Sequence, residues 1–137
     1  YSRRFLEQFL EKELFKCKRM KSTLSVVFLD LDKFKEINDK YGHVYGDNVL
    51  KTLVRAVKNN IRAMDLIARY GGDEFIIVLP STDVESAKIV VDRIKKELEK
   101  EEINISYGII DASIFDSIED IYKEVDRKMY EMKSSKK

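Results

Sequence analysis

The sequence predicts an α+β domain built on an antiparallel-rich, ferredoxin-like sheet with surrounding helices. Three observations carry that prediction. After an opening helix, short β-branched runs and amphipathic 3.6-period segments follow one another in the order β-αα-β-β-α-β-α. Two of the β-rich runs are separated by Gly71-Gly72-Asp73, the kind of break a hairpin makes, because tight hairpin turns use φ > 0. The chain of 137 residues is 44% hydrophobic, enough for one core and too short for two. With the opening helix set aside, this topology predicts helices on one face of the sheet. It also lays the first strand antiparallel to the second strand of the hairpin, which brings Asp30 beside the turn carrying Asp73 and Glu74.

The elements read as follows. Ser2 caps a helix running to about Met20, with Phe5, Leu6, Phe9, Leu10, Leu14 and Phe15 on its apolar face. The apolar run from Leu24 to Leu29 is a buried central strand ending at Asp30. Asp32 starts a short helix that Gly42 stops after Tyr41. A longer helix spans about Val44 to Ile61, with Val44, Val49, Leu50, Leu53, Val54 and Val57 as its inner stripe and a basic outer face. The hairpin strands are Leu66–Tyr70 and Glu74–Leu79, closed by Pro80. A helix over about Val84–Glu101, a strand over about Ile103–Ile110 and a last helix over about Ser117–Met132 complete the pattern. From the abrupt opening we expect residues 1–137 to be a single domain cut from a longer protein with an N-terminal sensor or regulatory region.

Composition excludes several classes. Lys and Arg number 26 against 25 Asp and Glu, which argues against a basic nucleic-acid-binding surface. No apolar run approaches the roughly 18–20 residues a membrane span needs, so no membrane contact is expected of this domain. A single cysteine, Cys17, can form no internal disulfide and fits a reducing, cytoplasmic compartment, although the full-length protein is compatible with a membrane anchor elsewhere.

Four carboxylates, Asp30, Asp32, Asp73 and Glu74, are thereby gathered at one sheet end. Clustered like charges raise one another's pKa, and a divalent cation reverses that penalty. Oxygen-only ligands suit Mg²⁺, whose shell substrate phosphates and water complete. On spacing alone the same residues read equally as a helix cap and a turn. Asp30-Leu31-Asp32-Lys33-Phe34-Lys35-Glu36-Ile37-Asn38 also joins an acidic strand end to a helix start, whose amides and dipole suit an anion such as phosphate. No G-x-x-x-x-G-K is present, so a P-loop is excluded.

Gly71-Gly72-Asp73-Glu74-Phe75 preceded by Arg69-Tyr70, together with the run from Asp30 through Asn38 to the Gly42-His43-Val44-Tyr45-Gly46-Asp47 segment, closely resembles the GGDEF family of diguanylate cyclases. Ser2-Arg3-Arg4-Phe5 is similar to the family's N-R-R segment with Ser for Asn. Ile105-Ser106-Tyr107-Gly108 resembles its fourth strand, and Val125 to Lys133 its A-D-x-A-L-Y-x-A-K helix. The resemblance covers essentially the whole chain and implies a palm-type, nucleotidyl-cyclase-like fold. It further implies condensation of two GTP into cyclic di-GMP with release of two pyrophosphates, each protomer of a homodimer holding one GTP. Carried over by position, Asp30 and Asp73 become ligands of Mg²⁺ or Mn²⁺ with the Leu31 carbonyl beside them. Glu74 becomes a metal ligand or the group that helps deprotonate the 3′-OH. Asn38 and Asp47 match the guanine-binding pair, and Phe34 a residue packed near the base. A carboxylate at Asp47 accepts from guanine N1–H and N2–H together, which adenine cannot offer. Lys35 and Lys133 match phosphate-contacting positions, and Lys137 falls where the family often has Arg. His43 reads as a packing or capping residue.

Arg62-Ala63-Met64-Asp65 resembles the family's R-x-x-D inhibitory site, where Arg and Asp take the guanine edges or phosphate of bound cyclic di-GMP, with Arg93 as a further contact; an ordinary ion pair is the alternative. Two other function classes compete with an active cyclase. One is a non-catalytic module binding GTP or cyclic di-GMP, against which the intact Gly71–Phe75 motif argues. The other is a palm-like nucleotidyl polymerase, disfavoured by small size and the missing basic groove.

Overall fold

A computed structural model describes residues 2–135. The order is α1 (Arg3–Met20), β1 (Leu24–Leu31), α2 (Phe34–Tyr41), α3 (His43–Asn60), β2 (Leu66–Arg69), β3 (Glu74–Pro80), α4 (Val84–Glu99), β4 (Ile105–Asp111), a 3-10 turn (Ala112–Ile114) and α5 (Ile118–Ser135). The strands form one antiparallel sheet in the order β2-β3-β1-β4. This is the ferredoxin-like order the element pattern predicts.

β1 is apolar nearly throughout because it is the central strand and is buried along its whole length. Its alternate residues face two separate cores. Val26 and Phe28 pack with Ile76 and Val78 against Leu6, Leu10 and Leu14 of α1 and Ile121, Val125 and Met129 of α5. Val27, Leu29 and Leu31 pack against Leu53 and Val57 of α3 and Val91, Ile94 and Leu98 of α4. Helices therefore cover both faces, which corrects the expectation of one. The crossover helices α3 and α4 share a face as expected, but α1 and α5 build a second layer on the other, since an apolar sheet face cannot be left in water.

Several boundaries also shift. Ser2 caps α1 as expected, its hydroxyl accepting from the Phe5 amide at 3.2 Å. Phe5 and Phe15 lie off the buried stripe, Phe15 at 70% exposure. Val44, in the first turn of α3, is 79% exposed and no part of the inner stripe. Asp32 does not cap α2: Lys33 holds that place with a left-handed φ of 59°, while the Asp32 carboxylate accepts from the Ser106 hydroxyl at 2.7 Å. That bond crosses from the end of β1 to β4, a long-range partner that local spacing does not reveal. The α3–α4 face continues through Phe34 and Ile37 of α2, which seats that short helix against the sheet end.

Candidate functional site

The β1–β3 register places Asp30 opposite Glu74, and the Leu31 amide donates to the Asp73 carbonyl at 3.2 Å. This register brings Asp30, Asp73 and Glu74 to one end of the sheet, as the topology predicted. Asp30 is 3% exposed. Asp73 and Glu74 are half-buried. Between Arg69 and Glu74 the chain makes a wide turn in which the amides of Tyr70 and Gly71 both donate to the Glu74 carbonyl, at 2.7 and 3.2 Å. The Arg69 guanidinium caps that turn by donating to the Gly71 and Gly72 carbonyls.

The two glycines are not there for positive φ, the reason given from sequence; only Gly42 adopts it among the described glycines. At Gly71 the glycine leaves room for the Glu74 side chain in the position it adopts. A Cβ on it would stand 2.2 Å from Glu74 Oε1, so the glutamate side chain lies where any other residue would put its own.

A cation sits in this cluster. Lys133, near the end of α5, donates to Glu74 Oε2 and lies 3.9 Å from Asp73 Oδ1. Burial alone would lower the Lys133 pKa, but the hydrogen bond with Glu74 and the charges of Glu74, Asp73 and Asp30 outweigh it and raise it. Lysine is therefore fully charged at neutral pH. Among the described residues no three acidic, His or Cys side chains are grouped closely enough to hold a metal by themselves. The donor set nevertheless fits a hard cation such as Mg²⁺: it is all oxygen, contributes a few carboxylates, and already draws a positive charge to itself.

Asn38 and Asp47 lie on neighbouring elements, α2 and α3. The Asn38 Oδ1 is buried without a hydrogen-bond partner among the described residues. It rests on Gly46, where an added Cβ would stand 1.8 Å away. Gly46 leaves room for the Asn38 side chain, which sequence spacing alone does not single out. Asp47, Lys35 and His43 are exposed, and Phe34 is half-buried against the α3–α4 core. A cavity of about 510 Å³ lies between α3 and the edge strand β2, lined by Leu50, Val54, Ile67 and Phe75 with Lys51 and Arg69. Leu50 stands three residues after Asp47 on the same helix.

Arg62 and Asp65 lie at the opposite end of the sheet. The Arg62 guanidinium donates to both Asp65 oxygens, at 3.1 and 2.9 Å, and also to the Pro80 carbonyl and Thr82 hydroxyl. The hydrogen bond to Asp65 raises the arginine's pKa despite partial burial. The Asp65 side chain is only 2% exposed and takes the Arg62 amide as well. The two residues are thus paired to each other, with Asp65 turned inward. Arg93 joins Arg62, Asp65 and Thr82 around an open cavity of about 320 Å³. Thr82 was not expected from sequence. Lys137 lies outside the described residues.

The family model for the diguanylate cyclase GGDEF domain matches residues 1–137. Among curated proteins the chain is 40% identical over 107 residues to diguanylate cyclase DosC of Escherichia coli strain K12, which covers 78% of this chain and 23% of that protein. It therefore spans about a quarter of that relative's length. Its fold matches the active GGEEF domain of a diguanylate cyclase from Vibrio cholerae, with a TM-score of 0.85 and 33% identity over 98% of this chain and 91% of that one. It also matches a microbial GGDEF domain described in its interaction with bis-(3′,5′)-cyclic di-GMP, with a TM-score of 0.86 and 31% identity over 97% of this chain and 87% of that one. Carboxylates at the end of an antiparallel sheet, a glycine turn shaped around Glu74 and a family match over the full length agree: the chain belongs to the GGDEF-domain family of diguanylate cyclases.

Proposed function

We propose that this chain condenses two GTP molecules into cyclic di-GMP, each protomer of a dimer presenting one nucleotide to the other. The observation that carries this reading is the convergence of Asp30, Asp73 and Glu74 at one sheet end with Lys133 among them. In each half-reaction the 3′-oxygen of one GTP forms a bond to the α-phosphorus of the other. The bond from that phosphorus to the bridging oxygen breaks, releasing pyrophosphate and the 3′-OH proton. Such a transfer asks for positioning and charge more than covalent chemistry.

Asp30 and Asp73, with the Leu31 carbonyl, would hold a Mg²⁺ or Mn²⁺ ion, with Glu74 as a further oxygen donor or as the group that helps deprotonate the 3′-OH. When bound, that ion neutralises charge on the attacked phosphate and lowers the pKa of the attacking hydroxyl. Lys133, held by Glu74, offers its charge to the phosphate oxygens, and Lys35, exposed at the start of α2, adds a second charge. Asn38 and Asp47 take the guanine edge, with Leu50 and Phe34 giving apolar surface beside it. The orphaned Asn38 oxygen supports this, because a buried acceptor without a donor is costly until one arrives. At the far end, Arg62, Asp65 and Arg93 bind the product and restrain the reaction. That role requires the Arg62–Asp65 pair to open, since Asp65 as folded offers almost no surface.

No helix among the described residues is long and apolar enough to cross a membrane. The reading is tested by incubating the chain with GTP and Mg²⁺ and resolving products by chromatography and mass spectrometry. Cyclic di-GMP with two pyrophosphates per molecule is the expected result. Nucleotide bound but unchanged at high protein concentration would overturn catalysis and leave a binding module.

A further inference from the structure

The turn carrying Asp73 and Glu74 is fastened at both ends to one helix. At its start, Tyr70 donates its hydroxyl to Asp126 Oδ1 of α5 at 2.7 Å. At its finish, Glu74 binds Lys133 of the same helix. Asp126 and Lys133 are seven residues apart, two helical turns, and so lie on one face about 10 Å apart along the axis. α1 adds a third attachment. The Arg3 guanidinium lies 4.1 Å from the Tyr70 ring centroid and donates to the Tyr70 carbonyl at 3.4 Å.

Burial by itself does not ask for these bonds. A phenylalanine would fill the pocket between α1 and α5 without bringing a hydroxyl that must find an acceptor. Tyr122, 6.0 Å from Tyr70 in the same layer, has a buried hydroxyl with no hydrogen-bond partner among the described residues, so tyrosine hydroxyls here are not all satisfied by default. The Tyr70 bonds have a different consequence. The Tyr70 amide donates to the Glu74 carbonyl at 2.7 Å, so any displacement of Tyr70 is passed directly to the backbone of Glu74.

We infer that Tyr70 is a positioning residue of the cyclase site, and that Arg3 and Asp126 act through it to set the start of the carboxylate turn while Lys133 sets its end. This inference rests on the reaction proposed above. Arg3 and Asp126 themselves reach Tyr70 and not the nucleotide, and Asn38 and Asp47 stand on other elements, so loss of either tether is expected to tell on turnover more than on recognition of the base.

The test uses the whole chain with Arg3→Ala, Asp126→Ala and Asp126→Asn, and with Cys17→Ala as a variant that weakens α1 at its other end. Steady-state kinetics and hydrogen-exchange mass spectrometry of the segment 69–75 are read together. Arg3→Ala and Asp126→Ala are expected to lower kcat about tenfold and leave KM for GTP within about twofold, as misplacement of reacting groups does. Exchange in the turn accelerates in both. Asp126→Asn, whose amide oxygen still accepts from Tyr70, recovers most of kcat, and Cys17→Ala lowers the melting temperature with kcat unchanged. Wild-type kcat in Arg3→Ala and Asp126→Ala, or a fall matched by Cys17→Ala, overturns the inference, as does a KM that rises in step with the loss. Should the wild-type chain make no cyclic di-GMP, the proposed reaction fails and the exchange data alone decide: unaltered protection of the turn overturns the role of Tyr70.

Discussion

The two ends of the β1–β3 pair use charge in opposite ways. Where Asp30 faces Glu74, three carboxylates gather around one lysine, leaving an excess of negative charge beside the glycine turn. Where Leu24 faces Pro80, Arg62 and Asp65 cancel each other, and the arginine's remaining bonds go to the Pro80 carbonyl and Thr82. The ends are six residue steps apart along β1, about 20 Å. An unbalanced site binds a cation and what the cation carries, whereas a balanced one binds only what can displace an existing partner. On the function proposed above, the first end would serve the chemistry and the second the response to accumulated product.

The largest effect expected is at the unbalanced end. Asp30→Ala or Asp73→Ala should cut cyclic di-GMP formation by at least about 100-fold, in line with losses of groups that stabilise charge at a reacting centre. Product yield is measured beside a circular-dichroism melt, and substantial turnover in either variant would remove that residue from the metal set. Next is recognition of the base: Asp47→Ala should weaken GTP binding about 10- to 100-fold and leave ATP binding nearly unaltered. Calorimetric titration with both nucleotides checks this, and equal losses would make Asp47 structural. Gly46→Ala sharpens the same point, since its Cβ would stand 1.8 Å from Asn38 Oδ1 and must displace that side chain. GTP affinity is expected to fall about tenfold while far-ultraviolet dichroism is unchanged.

The balanced end gives the smallest change in turnover and the clearest change in regulation. Arg62→Ala should keep its initial rate but lose inhibition by added cyclic di-GMP, measured as rate against product concentration. It should also lose about 1–3 kcal/mol of stability, because Asp65 remains buried with only a backbone donor. Adding Asp65→Ala removes the stranded charge and is expected to restore part of that loss, a coupling that a double-mutant cycle of denaturant midpoints resolves. Additive losses would show that the pair does not act as a unit.

What the sequence discloses follows the range of each interaction. The apolar strand beginning at Leu24, the break at Gly71–Gly72 and the pairing of Asp30 with Glu74 were legible, because apolar runs and sheet topology specify them, although the strand runs on to Leu31. The side of the sheet taken by α1 and α5 was not, since a 3.6-residue stripe reveals that a helix buries one face without saying against what. Asp32 reads locally as a cap, yet its acceptor role is claimed by Ser106 from a strand 74 residues away. The resemblance assigns Lys133 to phosphate, but its grip on Glu74 across 59 residues was not legible. Gly46 and Thr82 escaped for a related reason: each serves a neighbour's side chain, Asn38 and Arg62, and carries no chemistry that spacing could expose.

The central place of β1 bears on how the chain is made. Its Val26-Val27-Phe28-Leu29 core leaves the ribosome before either of its partners, for β3 begins some 45 residues later and β4 about 75. Until both arrive, a largely apolar strand with two open edges waits in a nascent chain, and chains stopped before Ile105 keep one edge open permanently. Long-range pairing of this kind slows folding and exposes strand edges to other chains. Truncation before β4 is therefore expected to promote aggregation by leaving an edge of β1 unpaired.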